Sequence, residues 1–202
     1  MRVSHWIFPA LLAMPGPLQG QSDHPTWSVT LALEGVRFAA AARDTAAPAA
    51  SAADLRPSGR VGVRLALRRA IGGWGVELAA GWAQGNVEAA NEAVAIRDRT
   101  ADLSRYRLAP GVERVLGRLG GGELALGASP TLDLWSLDGD TRLRVGAECG
   151  LALRLPVGRA SVENRISVGV SASPLEVSDL GQEFELGRLR AVAFSVGVRV
   201  PL

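Results

Sequence analysis

The chain has 202 residues, of which 24 are glycine and 48% are apolar, and its formal net charge is only +2. This length fits a single domain, and so small a charge, spread evenly along the chain, does not indicate nucleic-acid binding. All 22 basic side chains are arginines, since the sequence contains no lysine.

The first predicted element is an N-terminal secretory signal. Arg2 is followed by an apolar stretch over 6–14 and by turn-forming residues that end at Gly20. A charged region, an apolar region and a small residue in this order are typical of a signal peptide, and the apolar stretch is shorter than the roughly 20 residues of a spanning helix. We therefore predict a signal peptide over 1–20, cleaved near Gly20 or Gln21, and a mature domain over 21–202. An interfacial or membrane-anchoring helix is the alternative.

After this signal, apolar residues recur at every second position, which is the period of a β-strand. Eight strands are predicted, over 27–38, 60–68, 74–85, 104–113, 123–134, 141–155, 160–172 and 188–202. The connections after the second, fourth and sixth strands are short, and those after the first, third and seventh are long. Transmembrane barrels alternate in this way between periplasmic turns and extracellular loops. Only the short connection over 135–140 departs from the alternation, and the alanine-rich first loop, 39–59, is expected to be flexible.

The residues between the apolar positions indicate which face of each strand is inside. Many are glycine or alanine, which a narrow eight-stranded interior needs beside its longer side chains. The others are charged with both signs, and an arginine turned towards lipid would cost about 2–4 kcal/mol near the midplane. Because buried charges must be paired, we predict ion pairs in the lumen. The candidates are Glu34, Arg64, Glu77, Arg107, Arg144, Glu148, Glu163 and Arg165.

Two of these pairs are predicted from hairpin register. If Leu67 is opposite Trp74, then Arg64 is opposite Glu77, and in the sixth and seventh strands Glu148 comes within diagonal reach of Arg165. Large aromatic residues lie near the strand ends, which is typical of girdles at the two membrane interfaces. The predicted girdle residues are Trp27 and Trp74 at the short-turn end, and Phe38, Trp82, Tyr106 and Trp135 at the long-loop end.

The pattern over 27–202 resembles the small eight-stranded bacterial outer-membrane barrels of the OmpA, OmpX and OmpW class. The last strand is also similar to the C-terminal signal that the barrel-assembly machinery reads in that class, with Ser195, Gly197, Val200 and Leu202 at the matching places. Leu202 stands where the class usually has Phe or Trp. The resemblance implies an all-β, eight-stranded, antiparallel, up-and-down transmembrane β-barrel in the outer membrane. It also implies contact with outer-membrane lipid and with the assembly machinery, and we expect a monomer.

No catalytic chemistry is predicted. His5 lies in the signal region and His24 precedes the first strand, so no histidine remains in the barrel to activate a nucleophile. Asp138 and Asp140 flank Gly139 in a sequence that a tight hairpin explains, and we predict neither a metal site nor a cofactor. Cys149 falls on the apolar face and is expected to pack as a small apolar residue.

The predicted function is a structural or surface-interaction role, in which the barrel anchors exposed loops. One alternative is a narrow channel lined by the inward Arg and Glu side chains. Another is a soluble secreted barrel of opposite register that binds an apolar ligand. Arg188 and Arg190, near the loops, are expected to contact lipopolysaccharide phosphates.

Overall fold

The computed structural model describes residues 26–46, 52–90, 95–97, 103–176, 178, 180 and 183–202. The predicted signal peptide and His24 lie outside these residues. Eight long antiparallel strands close into a barrel in the order β1-β13-β11-β10-β9-β8-β5-β4. They are β1 (Thr26–Phe38), β4 (Arg60–Ile71), β5 (Trp74–Gly85), β8 (Leu103–Leu119), β9 (Gly122–Leu137), β10 (Asp140–Val157), β11 (Ala160–Ser171) and β13 (Leu189–Pro201). The predicted up-and-down barrel is thereby confirmed.

Four connections are turns of only two residues, at 72–73, 120–121, 138–139 and 158–159. Gly120 and Gly121 have φ values of 57° and 80°, and Asp138 and Gly139 have 48° and 95°. Two successive positive φ values define the type I′ turn, whose twist matches that of the flanking strands. Three of these turns lie at one end of the barrel, together with the start of β1 and the end of β13; we call this the short-turn end. The fourth turn and the three long connections lie at the opposite, long-loop end.

A second sheet stands at the long-loop end. Its five short strands pair in the order β12-β2-β3-β6-β7. They are β2 (Ala42–Asp44), β3 (Asp54–Pro57), β6 (Val87–Ala90), β7 (Ala95–Arg97) and β12 (Phe184–Leu186). All three long connections contribute to this outer sheet, as we name it. The first loop was expected to be flexible; its described residues include β2 and β3, which pair with each other and with strands of the other two loops.

The two faces of the barrel wall have inverted polarity relative to a soluble protein. Large apolar side chains point outward, and Leu31, Leu33, Val61 and Val145 are each at least 58% exposed. Charged and small side chains point inward and are buried. An apolar exterior around a polar lumen suits lipid and not water, so the soluble-barrel alternative was wrong. Within the described residues, no helix is long and apolar enough to cross a membrane.

Several strands, β8 most of all, are longer than predicted, and one register differs. β4 continues to Ile71, which pairs with Trp74, so Leu67 is opposite Leu78 and the predicted pairing of Leu67 with Trp74 was wrong. β8 continues to Leu119 because a β-bulge between Val115 and Gly117 keeps it paired with β9. Both errors have one cause: the glycines of each turn occupy only two positions, and the strands use the residues on either side.

The barrel closes where β1 meets β13, and this seam depends on a close approach of the two strands. Gly197 is opposite Ala32 in the register. A Cβ added at Gly197 would lie 2.5 Å from the Cβ of Ala32 and 2.5 Å from the carbonyl oxygen of Leu31. Glycine is therefore required by space at this position.

We predict that Gly197→Ala destabilises the barrel by about 1–3 kcal/mol, because overpacking forces the seam apart. The measurement is urea unfolding of the refolded protein in lipid vesicles, followed by tryptophan fluorescence. Gly35→Ala is the matched control on the outward face of β1, since its added Cβ would meet only the carbonyl oxygen of Phe194, at 3.9 Å. Equal effects of the two substitutions would contradict the prediction.

Candidate functional site

The lumen contains a network of arginines and carboxylates in two clusters. Arg154 on β10 is the centre of the first cluster, and its side chain is 3% exposed. Its Nε donates to Glu163 Oε2 at 2.8 Å, its Nη1 donates to Glu123 Oε1 at 2.8 Å, and its Nη2 donates to Glu113. Arg68 forms an ion pair with the other oxygen of Glu113. One guanidinium thus joins carboxylates from three different strands near the short-turn end.

The same cluster continues towards the middle of the barrel through Glu77. The Oε1 of Glu77 accepts hydrogen bonds from Arg64 Nη2 at 2.5 Å and from Arg165 Nη1 at 2.9 Å. Arg64 Nη1 is also 3.9 Å from Glu163 Oε1, which connects it to Arg154. Arg64 and Glu77 meet diagonally, because Arg68 is the residue directly opposite Glu77 and Gly81 is opposite Arg64. We name this group the Arg154 cluster; it comprises Arg64, Arg68, Arg154, Arg165, Glu77, Glu113, Glu123 and Glu163.

The second cluster, nearer the long-loop end, forms around Asp133. Arg105 holds this fully buried carboxylate in a bidentate contact, with Nε–Oδ1 at 3.0 Å and Nη2–Oδ2 at 2.8 Å. Arg107 Nε donates to the same Oδ1 at 3.0 Å, and its Nη1 donates to Glu148 Oε2 at 2.5 Å. Two-pronged pairs of this kind fix geometry as well as charge. We name Arg105, Arg107, Asp133 and Glu148 the Asp133 cluster.

Three predicted lumen residues are placed differently from the expectation. Glu148 and Arg165 do not pair with each other, because Gly169 is opposite Glu148 and Ala152 is opposite Arg165; their partners are Arg107 and Glu77. Arg144 lies at the rim, where it donates to the Ser173 carbonyl oxygen at 2.7 Å and to Glu176 Oε1 at 2.7 Å. It therefore holds the last long connection against the barrel and pairs with no lumen carboxylate.

Glu34 lines a small internal cavity of about 20 Å³ beside the Asp133 cluster. This cavity has room for a single water molecule. Elsewhere the mid-lumen is filled by the ion pairs and by buried alanines such as Ala66, Ala79 and Ala109.

Above the Asp133 cluster, apolar side chains fill the long-loop end of the barrel. Phe38 and Trp135 are 7% and 2% exposed, and their rings meet edge to face at 5.7 Å. The Arg105 guanidinium lies 5.1 Å from the Trp135 ring centre and 5.5 Å from that of Phe38, in cation–π geometry. The cap, as we name it, is formed by Val36, Phe38, Ala41, Ala42, Leu103, Trp135, Leu175, Leu189 and Ala193.

The assignment of Phe38 and Trp135 to an outward girdle was therefore wrong. Phe38 has the strand parity of Ala32, and Trp135 has the parity of Asp133, and both of these residues point inward. The other four predicted girdle residues, Trp27, Trp74, Trp82 and Tyr106, are 43–52% exposed on the outward face. At the short-turn end, Arg69 and Arg114 lie over the rings of Trp27 and Trp74 at 5.5 Å and 5.4 Å.

The residues that match the assembly signal lie at the seam. Ser195 and Gly197 point inward, whereas Val200 is 47% exposed on the outward face and Leu202 is 77% exposed. The backbone N–H of Leu202 donates to the carbonyl oxygen of Trp27 at 3.0 Å. Whether the assembly machinery reads these residues stays a prediction.

Sequence reasoning missed six members of the two clusters: Arg68, Arg105, Glu113, Glu123, Asp133 and Arg154. Their signal was available, because each has the inward parity of its strand; Arg105 and Glu113, for example, alternate with the outward Tyr106 and Leu108. All six lie within the predicted strands, so parity alone was enough to find them. Among the described residues, no group of three or more His, Cys, Asp or Glu side chains is placed to hold a metal ion. Cys149 lies exposed on the outward face.

The short-turn end holds an open cavity of about 580 Å³. Its floor is the Arg154 cluster, because Arg154 and Arg68 line it from the lumen side. A solute entering from this end therefore meets ion-paired side chains and then the cap. The lumen can therefore accept a small solute at the short-turn end and is closed to it further in.

No family model and no curated protein matches the sequence. The chain is similar in structure to Neisserial surface protein A, with a TM-score of 0.57 and 10% identity over 86% of this chain and 96% of that one. It is also similar to the outer membrane protein OprG from Pseudomonas aeruginosa, with a TM-score of 0.57 and 11% identity over 91% and 98% of the two chains. At such low identity the likeness shows the fold. The chain has the eight-stranded fold of these small outer-membrane β-barrels, as predicted.

Arg154→Gln is expected to cost about 3–5 kcal/mol of unfolding free energy, because it leaves buried carboxylates without their counter-charge. Urea unfolding in lipid vesicles measures the difference. Arg43→Gln is the control, since the Arg43–Asp54 pair spans 3.7 Å with side chains 61% and 42% exposed, and such pairs contribute about 0–1 kcal/mol. A small loss in Arg154→Gln would mean that the carboxylates find water or other partners.

Trp135→Ala is expected to lower stability by about 3–5 kcal/mol, since it removes the largest ring of the cap. Trp135→Phe should cost much less. The indole Nε1 of Trp135 has no hydrogen-bond partner among the described residues, so phenylalanine keeps the apolar contact and gives up no bond. Thermal unfolding of both variants in the same detergent is the measurement, and similar losses would show that the indole itself is needed.

Proposed function

We propose that the barrel is a closed membrane anchor that presents the outer sheet at the cell surface for interaction. The observation that carries this proposal is the filled lumen: two ion-pair clusters cross it, and the cap seals its long-loop end. The outer sheet is joined to the anchor by short strands from three connections and by the ties from Arg144 to Ser173 and Glu176. A surface with this much backbone pairing is preorganised for contact with a partner.

The narrow channel is the second candidate, and the internal geometry favours it less. A continuous path would have to pass the Arg154 cluster, a mid-lumen void of about 20 Å³ and the Phe38–Trp135 contact. Opening such a path would break several buried charge pairs at once. Each of these would leave an uncompensated charge at a cost of several kcal/mol.

The first test is conductance of the refolded mature protein in a planar bilayer, with insertion verified separately by protease protection. The anchor should insert and show no steady conductance. Steady conductance that changes in Glu77→Gln would favour the channel, because Glu77 joins Arg64 to Arg165 at mid-lumen. Glu185→Gln, in the exposed part of β12, is the control that should leave any current unchanged.

The second test locates the two ends of the barrel. In a Cys149→Ala background, Ala46→Cys after β2 and Arg159→Cys in the turn after β10 place single thiols at opposite, exposed ends. A membrane-impermeant maleimide should label Ala46→Cys on intact cells and should label Arg159→Cys only after permeabilisation. The reverse pattern would mean that the outer sheet faces the periplasm.

The proposed surface role includes a lipid contact. Arg188 and Arg190 are exposed just before and within the start of β13, on the wall below the outer sheet. Their guanidinium groups suit the phosphates of lipopolysaccharide. The proposed anchor acts as a monomer and is assembled through its last strand, and it needs no cofactor and performs no reaction.

A further inference from the structure

The open cavity at the short-turn end is unusual in its charge. Five arginines line it, and the carboxylate among its lining residues is Glu123. The five are Arg68, Arg118, Arg154, Arg159 and Arg199. Such a concentration of one sign in a concave site attracts ions of the opposite sign.

The charges of this cavity fall into two groups. Arg68 and Arg154 are already neutralised, since they are paired with Glu113, Glu123 and Glu163. The other three arginines form no ion pair with a carboxylate in the described part of the chain. The cavity therefore carries cationic groups beyond those that stabilise the barrel.

Arg199 is the best placed of these three. It is half-buried on the inward face of β13, and its Nε donates to the Ser28 hydroxyl oxygen at 2.9 Å. This bond fixes one edge of the guanidinium and leaves its two Nη groups without a hydrogen-bond partner among the described residues. A planar guanidinium with free donors binds phosphate oxygens in a two-pronged manner.

We propose that this cavity binds a phosphate-bearing anion, with Arg199 as its principal ligand and Arg118 and Arg159 at its mouth. The volume of about 580 Å³ lies in the range of small-molecule sites, roughly 300–1,000 Å³. The Arg154 cluster forms a rigid, ion-paired floor, and the hydroxyl of Ser161 lines the wall as a further donor. The phosphate belongs either to a soluble phosphate ester or to the headgroup of a phospholipid in the adjacent leaflet.

The test is a calorimetric titration of inorganic pyrophosphate into the folded protein in a detergent without charge. We expect saturable binding with one pyrophosphate per chain, weakened at least tenfold in Arg199→Gln. Arg159→Gln, in an exposed turn where folding is not at risk, should weaken binding several-fold. Arg37→Gln is the control; this exposed arginine lies on the outward face near the other end of β1 and should leave the affinity unchanged.

A second arm distinguishes the two sources of phosphate. The protein is exchanged into vesicles of phosphatidylglycerol and phosphatidylcholine and then extracted in detergent. Native mass spectrometry measures the mass of the protein together with any lipid it retains. One phosphatidylglycerol retained by the wild type and by Arg37→Gln, and lost in Arg199→Gln, identifies the headgroup as the source; no retained lipid, with pyrophosphate binding intact, identifies a soluble ester. Pyrophosphate binding that does not saturate, or that is equal in wild type and Arg199→Gln, would overturn the proposal. Both arms are independent of conductance and of orientation, so they can fail while the anchor stands.

Discussion

The structure depends on one electrostatic constraint: the charges buried in the narrow lumen must be neutralised there. A strand of period two offers only two faces, and lipid takes one of them. An arginine moved to that face would cost about 2–4 kcal/mol near the midplane, and several together would exceed the net stability of a typical domain. Most arginines and carboxylates of the wall are therefore confined to the same narrow space, where the most deeply buried ones form ion pairs.

This constraint explains why the interior mixes the largest polar side chains with the smallest residues. Arg154 reaches carboxylates on three other strands only because its neighbours on the wall are short, as Ala152 opposite Ala125 illustrates. The exclusive use of arginine fits the same need, because a guanidinium can satisfy several carboxylates at once whereas an ammonium is a compact point charge. Side chains fill most of the lumen as a result, and the open space that remains lies at the short-turn end.

The sequence predicts the barrel well because its signals are local. Alternation identifies the faces, and the predicted strand ends agree with the structure to within three residues for seven of the eight strands. Which charged residues pair with each other is harder to predict, since Glu148 and Arg165 lie on adjacent strands yet bind different residues. A shift of register and the tilt of the strands decide such pairs.

Phe38 and Trp135 were assigned to the wrong face because their position near a strand end was given more weight than their parity in the strand. The outer sheet had no signal, because strands of three or four residues from three distant connections pair only after the barrel has brought them together.

The outer sheet also strengthens the seam at which the barrel closes. β2 follows β1 and β12 precedes β13, so their pairing continues the β1–β13 contact above the wall, through backbone bonds such as Ala39 to Arg190 and Gly187 to Ala41. The pairing between the two ends of the chain therefore extends beyond the barrel wall into the outer sheet. Lateral opening of the barrel between β1 and β13 would also have to break the pairing of β2 with β12. The seam between the two ends of the chain is therefore one of the most strongly held parts of the structure.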